Sequence, residues 1–186
     1  MKVKDSPPLL KPQDSVLLVV DFQDKLLPAV HEHEACVAAA AKMIEAAKML
    51  AVPIILTEQY PAGLGRTCAT IAKAVGDAAV HEKVRFSGCV ESVTKRLTEL
   101  RRANVLVIGI EAHVCVQQSV LELLHLGYRA YVCADAITSR RVLDRDMAIA
   151  RMRQAGAIIT TTESLIFELL GEAGGERFKQ VLRIVK

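Results

Sequence analysis

Residues 104–127 read NVLVIGIEAHVCVQQSVLELLHLG, and two periodicities meet inside this stretch. Asn104 to Glu111 is a nearly continuous run of branched aliphatic residues, the pattern of a strand covered on both faces. From Val114 apolar residues recur at helical spacing as far as Leu126, and Gly127 supplies the stop. A buried strand that feeds directly into a helix is the building step of a βαβ unit.

Three further runs repeat the strand pattern: SVLLVVDF (Ser15 to Phe22), PIILTE (Pro53 to Glu58) and RAYVCAD (Arg129 to Asp135). AIITT (Ala157 to Thr161) reads as a fifth strand and AAVHEK (Ala78 to Lys83) as a weaker sixth. Helical segments lie between them. HEHEACVAAAAKMIEAAKML carries Glu32 and Glu34 early and Lys48 late, which complements a helix dipole. CVESVTKRLTELRRA sets Val90, Val93, Leu97 and Leu100 on one face. This alternation predicts a three-layer α/β/α fold with a doubly wound, mainly parallel, six-stranded sheet. With 186 residues, no internal repeat and no linker, the chain reads as a single domain over residues 1–186.

Composition excludes several classes of partner. Hydrophobic residues make up 52%, yet no uninterrupted run approaches the roughly 20 residues needed to cross a bilayer. The first residues, MKVKDSPPLLKPQD, lack a signal-peptide core, so a cytoplasmic protein with no membrane partner is expected. A net charge of +3, evenly spread, argues against nucleic acid and for a small-molecule substrate. The five cysteines are scattered and form no CxxC pair, which argues against disulfides and a zinc site.

Open parallel sheets bind ligands beyond the carboxyl ends of their strands, so charged residues there carry the chemistry. Asp21, Lys83 and Glu111 each end an expected strand, and Cys115 follows close behind Glu111. Asp135 has two readings, a functional carboxylate or a helix cap. A thiol at the start of a helix and near a lysine is pushed towards the thiolate, which makes Cys115 a candidate nucleophile. The other reading of a lone cysteine is a small buried hydrophobe, and Cys36, Cys89 and Cys133 read that way. TEQYPAGLGRTCAT (Thr57 to Thr70) is the longest non-periodic stretch, either an active-site lid or a surface excursion, and it contains Cys68. Its GLG lacks the strand and helix context of a nucleotide-binding loop.

VVDFQ (19–23), HEKVRFS (81–87) and GIEAHVCV (109–116) resemble, in order, the motifs of the isochorismatase-like cysteine hydrolases. TEQYPAGLG and DAITSRRVLDRDMAIARMRQAG extend the resemblance along nearly the whole chain. It implies a catalytic triad of Asp21, Lys83 and Cys115. A cis peptide between Ile110 and Glu111 is also implied, and with it an oxyanion hole from the backbone N–H groups of Glu111 and Cys115. Phe22, Gln23, Glu58, Tyr60, Phe86 and His113 are candidate pocket residues, and for His113 packing against the substrate loop is an equal alternative.

The implied chemistry is attack of the Cys115 thiolate on a small amide or carbamoyl carbon after Asp21 takes its proton, passing through a thioester. Each oxyanion donor is typically worth about 3–4 kcal/mol of barrier. Family members that cleave isochorismate itself do so without this cysteine. The nicotinamidase branch binds metal through Asp-x-His after the second strand, where this sequence has Thr57, Glu58, Gln59 and Tyr60, so neither metal nor cofactor is expected. His31 and His33 read as solvated. Among the arginines, Arg151 and Arg153 complement a helix opened by Asp144 and Asp146, while Arg140 and Arg141 have two further readings, contact with a neighbouring subunit or with an acidic substrate.

A homo-oligomer is expected, because the segment Ser164 to Leu170 carries Leu165, Ile166, Phe167, Leu169 and Leu170 on more than one helical face. The alternative is that the chain after Gly174 and Gly175 folds over this helix. A second functional class is a catalytically idle, oligomeric interaction protein of the same fold.

Overall fold

The computed structural model describes residues 9–186. Residues 1–8, part of the segment read as lacking a signal-peptide core, lie outside them. Six strands, β1 (Ser15–Val20), β2 (Ile54–Gln59), β3 (Val80–Lys83), β4 (Asn104–Ile110), β5 (Arg129–Thr138) and β6 (Ile158–Thr160), form one sheet in the order β3-β2-β1-β4-β5-β6. Every pairing is parallel. The helices are α1 (His33–Met49), α2 (Pro61–Leu64), α3 (Ala69–Val75), α4 (Glu91–Leu100), α5 (Gln117–His125), α6 (Val142–Gln154), α7 (Thr162–Leu170) and α8 (Gly175–Val185).

Every residue of β1 and β4 is buried, because these central strands are covered on both sides. Alternation divides their side chains between two cores. Leu17, Val19, Leu56, Leu106 and Ile108 meet α1, α3, α7 and α8. Val16, Leu18, Val20, Ile55, Val105 and Val107 meet α4, α5 and α6. The expected three-layer α/β/α architecture is therefore present.

Several boundaries depart from the sequence reading. β1 stops at Val20 because Asp21 takes a left-handed backbone, φ 54°. β5 runs on to Thr138 through an irregularity in which Val107 pairs with Val132 but Gly109 with Ile137. Asp135 lies in this bulge and accepts the Thr162 N–H at 2.8 Å and its hydroxyl at 3.0 Å, so it caps the start of α7.

The segment Thr57 to Thr70 is anchored by side-chain hydrogen bonds. Glu58 accepts from the N–H and hydroxyl of Thr67 at 2.7 Å each, and Gln23 Nε2 donates to Gly65 O at 2.6 Å. Gln23 and Thr67 also form a β-bridge. The apolar face of α7, taken from sequence as the interface, is covered within the chain: Leu165, Ile166 and Leu169 are buried, and Phe167 and Leu170 pack against the same core. α8 folds back to supply part of that cover through Val181. Exposed large apolar side chains lie elsewhere, among them Val84, Phe86, Leu143 and Met147.

Candidate active site

The carboxyl ends of β1, β2 and β3 assemble a buried polar cluster on the side of the sheet covered by α4, α5 and α6. Strict alternation would send Asp21 to the opposite face, following Val19. Its left-handed φ turns the carboxylate towards Thr57, whose hydroxyl donates to Oδ1 at 2.7 Å. Lys83 comes from the edge strand and reaches across β2 to Asp21 Oδ2 at 2.6 Å, with both side chains wholly inaccessible.

Lys83 has three N–H donors and meets more acceptors than that: Asp21, Gln59 Oε1 at 2.7 Å, Phe86 O at 3.0 Å and Arg85 O at 3.3 Å. Gln59 is oriented for this contact by its own Nε2, which donates to Val84 O at 2.8 Å. A buried charge pair needs this density of partners, since desolvation otherwise exceeds the attraction between the charges. Thr57 and Gln59 escaped the sequence reading. Their signal was the two-residue period of β2, which puts both on the face of Ile55, together with the in-register pairing of Gln59 with Lys83.

Cys115 lies in a π-helical turn, Ala112–Val116, inserted between β4 and α5. The turn runs without a break into α5, so Cys115 lies near the N-terminus of one helical segment, as expected from sequence, but its burial opposes the thiolate. Burial, then the negative charge of Asp21, push the Cys115 thiol up to about 12, against an opposing pull from Lys83. At neutral pH the resting sulfur is a protonated thiol, held beside a carboxylate that can accept its proton. The Ile110–Glu111 peptide is cis, and the Glu111 carboxylate is engaged by Arg140 Nε at 2.9 Å.

The candidate pocket residues separate. Phe22 is fully buried in the core on the α1 side. Gln23 is likewise buried, with its amide committed to Gln59 and Gly65. Glu58 alternates away from Thr57 and Gln59 and anchors Thr67 and Arg66. Tyr60, 56% exposed, lines a surface cleft with Arg66, Glu82, Lys83 and Val84. Gln23, Tyr60, Phe86 and His113 adjoin the cluster: Gln23 through Gln59, Tyr60 through its N–H, which donates to the Lys83 carbonyl at 2.8 Å, Phe86 through the carbonyl that binds Lys83, and His113 through the turn that carries Cys115. The His113 ring pairs with Ser139 Oγ at 3.0 Å.

A parallel α/β sheet with a buried Asp-Lys pair facing a cysteine at its carboxyl edge defines the class. The chain belongs to the isochorismatase family: the Isochorismatase domain matches residues 15–164. It is 40% identical over 95% of its length to the secreted isochorismatase effector Isc1 of Phytophthora sojae, covering 87% of that protein. A solved Caenorhabditis elegans structure described as MAR1 ribonuclease superposes with a TM-score of 0.92 at 36% identity, covering 96% of this chain and 92% of that one. The Escherichia coli YcaC gene product, described as an octameric hydrolase of unknown specificity, shares the fold: TM-score 0.86, 23% identity, 97% and 89% of the two chains. No helix among the described residues is long and apolar enough to cross a membrane.

Proposed function

We propose that this chain is a cysteine hydrolase that uses no metal and acts on a small amide, carbamate or related carbamoyl compound. The observation that carries the reading is the inaccessible Asp21–Lys83 pair set against the Cys115 thiol. Asp21 accepts the thiol proton as sulfur attacks the acyl carbon and a C–S bond forms. The resulting oxyanion accepts hydrogen bonds from the backbone N–H groups of Glu111 and Cys115. Asp21 returns the proton to the leaving nitrogen, the C–N bond breaks, and ammonia or an amine departs. Water, deprotonated by Asp21, then attacks the thioester, and cleavage of the C–S bond regenerates the thiol and releases the acid. Lys83 keeps its charge throughout and compensates that of Asp21 and of the transient thiolate.

The name of the nematode neighbour raises a second reading, cleavage of RNA. Against it stand the arginines Arg66, Arg85 and Arg140, already engaged by Glu58 and Glu82, by Glu122 and by Glu111 respectively. A phosphodiester would meet carboxylates beside each of those cations. The test is a panel of small amides, carbamates and carbamoyl compounds with an RNA arm, run with wild type and Cys115→Ala. Turnover of an amide lost in Cys115→Ala supports the reading. RNA cleavage retained by Cys115→Ala overturns it, and no activity in any arm favours the idle interaction protein.

A further inference from the structure

Ser119, in the first turn of α5, is fully buried and makes two short hydrogen bonds. Its hydroxyl donates to the Cys115 carbonyl at 2.6 Å and accepts the Gly88 N–H at 2.6 Å. The first bond alone is ordinary, since a serine in a helix often bonds the carbonyl four residues back. The second is not. Gly88 belongs to the segment following β3, whose Arg85 and Phe86 carbonyls receive the Lys83 ammonium. The same segment returns to Ser119 a second time, through Cys89 Sγ and the Ser119 carbonyl at 3.6 Å.

We infer that Ser119 is a positioning residue: it locks the turn that carries Cys115 to the segment that holds Lys83, so that nucleophile and cation keep one fixed relative placement. The two segments come from strands on opposite sides of β1 in the sheet, and their other polar link is the exposed Arg85–Glu122 ion pair, which is weak beside a buried hydrogen bond. The closeness is demanding. A Cβ on Gly88 would lie 3.0 Å from Ser119 Oγ, tight enough that the hydroxyl would have to shift by a few tenths of an ångström to accommodate a side chain at residue 88. The inference rests on the cysteine-hydrolase reading for its importance, but its geometry can be tested without any substrate.

The first measurement is iodoacetamide labelling of Cys115 in the native protein, followed by peptide mass spectrometry from pH 6 to 10. Ser119→Ala frees both segments and lets water reach the thiol, so labelling should quicken and its pH profile move down towards that of an ordinary thiol. Ser119→Thr keeps the hydroxyl and should restore the wild-type profile. The second measurement uses whichever amide the wild type turns over. Ser119→Ala should lower kcat by roughly ten- to a hundredfold, the cost of misplacing reacting groups by about an ångström, while KM changes little. A folded Ser119→Ala that labels at the wild-type rate and pH profile overturns the inference.

If Ser119→Ala does not fold, Gly88→Ala carries the same test, because it presses a methyl onto the hydroxyl without removing it. Wild-type labelling of that variant would overturn the inference equally. Absence of turnover in the wild type would sink the hydrolase reading and leave the labelling result standing.

Discussion

Val20 and Gly109 face each other across β1 and β4 at a separation that admits no side chain: a Cβ on Gly109 would lie 2.4 Å from the Val20 carbonyl oxygen. Val20 is the residue before Asp21, and Gly109 stands two residues before Glu111. This close approach thus sets the spacing between the strand end that carries the carboxylate and the one that leads to the cysteine. The obstacle is backbone rather than a flexible side chain, so Gly109→Ala should cost at least the 1–3 kcal/mol typical of overpacking. Urea denaturation measures it, and a midpoint equal to that of the wild type would refute the argument.

Removal of Lys83 alone should be costly, because it leaves the Asp21 charge buried and unpaired. Lys83→Met is expected to lose about 3–5 kcal/mol. The double variant Asp21→Asn with Lys83→Met should recover much of that loss, since no uncompensated charge remains. A double-mutant cycle with strictly additive effects would show that the two groups do not interact as described.

Stability should fall in alkaline solution. Burial pushes the thiols of Cys36, Cys89 and Cys115 up to about 12. An unfolded thiol titrates near 8.5, so each group stabilises the fold fully below that pH, and the contribution is lost as pH rises towards the folded value. Between these limits the loss approaches ~1.4 kcal/mol per pH unit for each thiol. Unfolding free energies between pH 8 and 10.5 check the sign, and Cys36→Ala should give a shallower fall. An identical slope in the two proteins would count against the assignment.

Glu58 behaves oppositely. Burial works to raise its carboxyl, but hydrogen bonds from Thr67 and Arg66 outweigh this and hold it below its ordinary value. Its stabilisation is therefore present at neutral pH and lost as the solution is acidified through the carboxylate range. Glu58→Gln should cost about 1–3 kcal/mol at pH 7. The difference from wild type should shrink below pH ~4, where the wild-type carboxyl takes up its proton. A difference independent of pH would place the effect in shape rather than charge.

With α7 covered from within the chain, the apolar surface available for assembly includes Val84, Phe86, Leu143 and Met147. Phe86 adjoins Lys83, and α6, which carries Leu143 and Met147, packs on the turn holding Cys115. We expect sedimentation at low micromolar concentration to show a particle larger than the 20.3 kDa single chain. Leu143→Asp with Met147→Asp should reduce it. A wild-type species of single-chain mass would reject self-association through this surface.

By itself the sequence determined the layer order and the strand ends that bear chemistry. Uninterrupted aliphatic runs such as Val105 to Ile108 can be satisfied only by cover on both faces; Asp21 and Cys115 follow such runs, whereas Lys83 ends the short, partly exposed edge strand Val80–Lys83. It also marked α7 as apolar on several faces, but periodicity records how much surface must be covered and not what covers it; α8 does so from within the chain. Likewise, Cys115 at an expected helix start looked like an activated thiolate, whereas burial, then the charge of Asp21, raise the thiol in the fold. The period of β2 put Thr57 and Gln59 on one face, but their roles, like that of Ser119, became visible only in three dimensions. Their partners lie 36, 24 and 31 residues away, and no local pattern encodes a contact that strand order creates.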